Sequence, residues 1–169
     1  TSLSRLNART IPPKITGIYL NSVWSTQSRT ILDEIPGSGS GEQGQSFSLL
    51  YPPVNNETVV VDELASLSER ERIALEAQKI VDKKTDAQGN LIAFWVTWEA
   101  VDDLVNSGPE DRHYTIDRTS GILSFGDGEN GRIPPIGRNN IRLSYTTGGG
   151  RSGNLPAATI SKIHSAVAF

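Results

Sequence analysis

Apolar and polar residues alternate with a period near two along much of this chain, and the runs are short. Lys14 to Trp24 alternates in part, with Ile18, Leu20 and Val23 set among polar residues, which predicts a strand. Ser46 to Tyr51 has the same character and is stopped by Pro52-Pro53. Thr58-Val-Val-Val-Asp62 is β-branched and predicts a buried strand. Leu91 to Trp98 is the most apolar run and predicts a central strand. His113–Asp117 and Ile122–Phe125 flank Arg118-Thr-Ser-Gly121, the pattern of a hairpin. Asn140 to Thr146 alternates cleanly, placing Ile141, Leu143 and Tyr145 on one face and Arg142 and Ser144 on the other.

Helical periodicity is confined to one region. Ser68 followed by Glu71 is a capping-box pattern, and Ile73, Ala77 and Ile80 then recur near 3.6 residues. This predicts a helix over about 69–82 with those three residues facing a sheet. Glu99 to Val105 predicts a short second helix, broken by Asn106-Ser-Gly-Pro109. Between strands, Pro36 to Gly44 reads as a flexible loop and Asp86 to Asn90 as a turn. Residues 1–13 form a polar arm, and 14–169 are expected to make a single β-rich domain. The fold class that follows is mainly β with a minor α part: an antiparallel β-sandwich or partly open barrel carrying one short packed helix.

Composition narrows the chemistry. Nine of the 16 glycines lie between Gly121 and Gly153, so that region is built of tight turns. A net charge of -3 provides no basic surface for nucleic acid or an anionic membrane. The absence of cysteine removes disulfides and thiolate metal sites. No apolar run reaches the roughly 20 residues that span a bilayer. The chain has no Met at all, so it reads as a fragment of a longer protein.

The candidate chemical motifs are thin. Gly126-Asp-Gly128-Glu-Asn-Gly131 fits G-x-G-x-x-G, but Pro134, Pro135 and Gly137 follow at once. No helix can begin there to hold a pyrophosphate, and Asp127 and Glu129 would repel one. Those two carboxylates with Asn130 resemble half a calcium loop, without its later acidic ligand. His113 and His164 lie far apart in sequence, and no serine has nucleophile-elbow spacing. A glycan-cleaving enzyme would need two carboxylates facing each other across a groove, which the sequence does not indicate. Trp95 and Trp98, three apart on a strand, point to opposite faces, as core residues or as an exposed interface anchor.

One long stretch says more. Ser107-Gly-Pro-Glu-Asp-Arg-His-Tyr114, Asp117-Arg-Thr-Ser-Gly121, Phe125-Gly-Asp-Gly-Glu-Asn-Gly-Arg-Ile-Pro-Pro-Ile-Gly-Arg-Asn-Asn-Ile141 and Gly148 to Pro156 closely resemble a signature of baseplate assembly proteins. These are relatives of the baseplate J-like wedge proteins of phage tails and phage-tail-like contractile injection systems. Gly17 to Trp24, Gln45-Ser-Phe47, Pro53-Val54 and Trp95-Val-Thr-Trp98 also look like the family, so the resemblance runs from about residue 14 to the end. Tyr19-Leu20 and Thr146-Thr147 depart from its pattern.

The resemblance implies a non-enzymatic structural role in the baseplate wedge, and no cofactor, metal or small-molecule substrate is expected; charge and hydropathy already speak against nucleic acid and membrane insertion. Its partners would be other wedge and hub proteins and the sheath. Assembly would occur in the bacterial cytoplasm, with the product part of a virion or released particle. The residues expected to shape the structural motif and its contacts are Phe125, Gly126, Asp127, Gly128, Gly131, Arg132, Pro134, Pro135, Gly137, Trp95 and Trp98. The alternative is a glycan- or receptor-binding β module of a tail particle, which would expose a tryptophan in a concave patch.

Overall fold

The computed structural model describes residues 28–148. The polar arm, the Lys14–Trp24 run with Trp24, His164 and everything from residue 149 onward lie outside these residues. The described chain is mainly β. It has strands β1 (Arg29–Gly37), β2 (Ser46–Ser48), β3 (Asn55–Asp62), β4 (Val81–Thr85), β5 (Leu91–Ala100), β6 (His113–Asp117), β7 (Ile122–Phe125) and β8 (Ile141–Thr147), with one helix, α1 (Glu69–Gln78). The strands run β1-β8-β3-β5-β6-β7-β2, with β4 added on β5, in one open sheet curled into a half-barrel.

The predicted alternation sets the register. Val59 pairs with Trp98 on one side and Leu143 on the other, and Val61 likewise with Val96 and Ile141. All of these side chains are buried; Val59, Val61, Trp98, Ile141 and Leu143 join Tyr145, Tyr114, Leu123 and Phe125, while Val96 packs with Phe94 in a second cluster. Phe125 is the hub. Its ring meets Trp98 edge-on at 5.2 Å and Phe47 at 5.9 Å, and lies tilted against Tyr114 at 6.4 Å. Such pairs contribute about 0.5–1.5 kcal/mol each beyond burial.

Several expectations are corrected. The ladder is not wholly antiparallel: β5 and β6 pair in parallel, Glu99 with His113 and Ala100 with Tyr114. This pairing keeps Glu99-Ala100 extended, so the second helix does not form, and turns follow instead. Helix α1 has the expected capping box at Ser68 and Glu71 but ends at Gln78, with Lys79 in the left-handed conformation. Its buried residue is Leu75, whereas Ile73 is 63% exposed and Ala77 is also exposed. Leu75 reaches Leu67, Phe94 and Val96, with Ile80 packed alongside. The next residues, Val81 to Thr85, leave the helix and pair with β5.

Strand β1 has no alternation to betray it. It is bulged between Ile31 and Gly37, and Asp33 sits at φ 51°. Its Pro36 is tolerated because β1 lies at the sheet edge. The stretch expected to be a flexible loop is therefore strand up to Gly37. The rest of it is tied down: Gly39 N–H donates to Asn140 Oδ1 at 2.7 Å and Ser40 N–H to Gln45 Oε1 at 2.8 Å. Among the described residues no helix is long and apolar enough to cross a membrane.

Candidate functional site: an interlocked turn cluster over a buried carboxylate

The segments 107–112 and 125–140 pack against one another. The turn Phe125-Gly-Asp-Gly-Glu-Asn-Gly131 folds on itself. Asp127 Oδ1 accepts the amides of Glu129 (2.9 Å) and Asn130 (2.7 Å), and Gly128 N–H donates to the Gly131 carbonyl (3.0 Å). These amides hold the Asp127 carboxyl below the usual carboxylate range, the Asn130 amide most strongly. A Cβ on Gly126 would overlap the Gly131 carbonyl, so only glycine lets the two strands of the turn touch.

The segment Ser107–Asp111 docks against this turn. Asp111 Oδ2 accepts Gly108 N–H at 2.7 Å, and the Gly108 carbonyl accepts Gly131 N–H at 3.2 Å. The Asp111 carbonyl accepts Arg132 N–H at 2.8 Å. Ser107 Oγ lies 2.8 Å from His113 Nδ1, on the first residue of β6. The Pro134–Gly137 loop is pinned by the buried Asn140, whose Nδ2 donates to the Pro135 carbonyl at 2.9 Å. Pro134 is fully buried, and Gly137 abuts Asn140 so closely that a Cβ would lie 2.7 Å from its amide.

Beneath the cluster lies a charge that the sequence did not single out. Glu63, directly after β3, is 0% exposed. Its Oε1 accepts Trp98 Nε1 at 2.9 Å and Arg112 Nε at 2.9 Å, and its Oε2 accepts Arg112 Nη2 at 2.8 Å. The two-pronged geometry is the strong form of this pair. Arg132 Nη2 stands 4.0 Å from the same carboxylate, while its Nη1 bonds Glu110 at 2.5 Å. Arg132 thus spends its charge within the chain.

A second buried carboxylate, Glu34, accepts Tyr145 Oη–H at 2.6 Å and Leu50 N–H at 2.8 Å. Burial and this carboxylate push the Tyr145 hydroxyl up to about 12. The only trace of Glu63 in the sequence was its partner, Arg112, inside the Ser107–Tyr114 motif.

The cluster therefore brings together Phe125, Gly126, Asp127, Gly128, Gly131, Arg132, Pro134, Pro135 and Gly137. Trp98 joins it from below through Glu63. Trp95 lies apart, on the opposite face of β5, under the guanidinium of Arg142 at 3.9 Å. Neither indole is an exposed anchor, with 7% of Trp95 and 3% of Trp98 accessible. Beside the cluster, where β5 and β6 meet, an open cleft of about 540 Å³ is lined by Glu57, Glu99, Glu110, Arg112 and His113. Glu57 is bonded there to Arg118. Among the described residues, no three His, Cys, Asp or Glu side chains gather as a metal-binding group. The chain matches no protein-family model, no curated protein and no solved structure.

Proposed function

We propose that this chain is a structural component of the baseplate wedge of a contractile phage tail or phage-tail-like injection particle, acting through protein–protein contacts. The observation that carries the reading is how the Ser107–Ile141 residues are used. Gly108, Asp111, Asp127, Gly128, Gly131 and Pro135 bond within the stretch or to Asn140, in turns that hold a fixed shape over the Glu63–Arg112 ion pair. That is the economy of a scaffold module, whose surface must keep its form while neighbours dock. Burial of Trp95 and Trp98 also weighs against a tryptophan sugar platform at either position.

The test is affinity capture of the protein from its native producer, with mass spectrometry of what co-purifies. Sheath, tube and other baseplate proteins in the eluate are the expected result. Retention of the protein alone on glycan beads, without tail proteins, would overturn the reading in favour of a receptor-binding module.

A further inference from the structure

The outward face of the sheet carries a second feature, remote from the turn cluster. Arg142 of β8 sits beside Val60 of β3 and reaches across it to lie over Trp95 of β5. The guanidinium carbon is 3.9 Å from the ring centroid. A furrow of about 300 Å³ runs here, lined by Asp33, Val60, Asp82, Lys84, Trp95 and Arg142 among others. Arg142 Nε is buried and has no hydrogen-bond partner. Among the described residues neither Arg142 nor Lys84 forms an ion pair, although Arg112, Arg118, Arg132 and Lys83 all do.

A guanidinium stacked on an indole is oriented through its face, while its donors lie in its plane. It is therefore held ready for a planar acceptor and has none in this chain's described part. The buried Nε is out of reach of an arriving group, but the terminal Nη donors are neither buried nor bonded among the described residues, and a carboxylate can meet them. The lining also indicates the kind of ligand. Asp33 and Asp82 stand in the same furrow as the basic groups, and the chain is acidic overall, with net charge -3. A polyanion would meet both aspartates, whereas a polypeptide can set one carboxylate on Arg142 and basic side chains beside the aspartates.

We propose that the Trp95–Arg142 furrow seats an acidic side chain of a neighbouring polypeptide, flanked in that partner by lysine or arginine. This deepens the scaffold reading by giving one docking contact its chemistry. The probe is the capped peptide Ac-Lys-Glu-Lys-NH2, titrated into the nitrogen-15-labelled chain while the Trp95 indole and Arg142 Nε–H signals are followed by NMR. Saturable shifts with a dissociation constant on the order of 1–10 mM are expected. Ac-Lys-Gln-Lys-NH2 and inorganic phosphate should each bind at least about tenfold more weakly, a difference of about 1.4 kcal/mol.

Arg142→Gln should lose the response, and Arg142→Lys, which keeps the charge but not the planar fork, should weaken it. Arg138→Gln, on an exposed loop residue, should leave it intact. Absence of shifts, equal binding of the glutamine peptide, tighter binding of phosphate, or a response that survives Arg142→Gln would each overturn the proposal. The peptide comparison on the unaltered chain decides the matter even if a variant fails to fold. Failure here, with tail proteins still captured from the native producer, removes the furrow and leaves the baseplate reading. The opposite pair of results does the reverse.

Discussion

Glu63 illustrates how a single residue organises this molecule. A carboxylate with no solvent contact is tolerable only when its charge and lone pairs are met, and Arg112 and Trp98 meet them. Removing one partner of such a pair strands the other. Glu63→Ala is expected to cost about 3–5 kcal/mol, read as a lower urea midpoint with unchanged slope. A loss under about 1 kcal/mol would mean that water already screens Arg112. In the sequence Glu63 looks like an ordinary charge after an apolar strand. Its partners lie 35 and 49 positions away, and no local pattern links them.

At the scale of elements, the Phe125–Arg132 turn and α1 make opposite cases. The turn's glycines were legible as turn residues, but the reason for Gly126 was not: it depends on contact with Gly131 across the turn. Gly126→Ala forces backbone against backbone, and the expected cost is about 3 kcal/mol, the upper part of the overpacking range. Gly44→Ala is the comparison. Its φ is +61° with open space around the new methyl, so only left-handed strain of about 1–2 kcal/mol applies. Thermal melts that rank Gly44→Ala as the more damaging would refute this account. The capping box of α1 was readable because it is local, closed between Ser68 and Glu71. Its buried face is not local, since ten residues offer periodicity to several faces and the approach of Phe94 and Val96 selects Leu75 over Ile73 and Ala77.

For the whole molecule, several turns share one electrostatic device. The Ser68 hydroxyl holds the Glu71 carboxyl below its ordinary range, Asn90 does so for Asp86, Ser120 for Asp117, and the Asn130 amide for Asp127. A depressed folded value adds stability that is fully present above the unfolded value of about 4. That stability is lost as pH falls through the lower folded values. The melting temperature should therefore change little from pH 7 to about 5 on account of these groups, then decline below about pH 4. Combining Asp86→Asn, Asp117→Asn and Asp127→Asn should flatten the decline, and an equally steep one in that variant would place its origin elsewhere.

The sequence alone determined the strand-rich character, most strand positions, the inward set Ile141, Leu143 and Tyr145, the β6–β7 hairpin and the helix start. Each follows from alternation, a cap or a turn within a few residues of chain. Only the tertiary structure decided the bulged β1, the β4 edge, the parallel β5–β6 pairing, the burial of Glu63 and Glu34, and the stacking of Arg142 on Trp95. These features rest on groups distant in sequence, whose free energy exists only once the sheet has curled and brought them into contact.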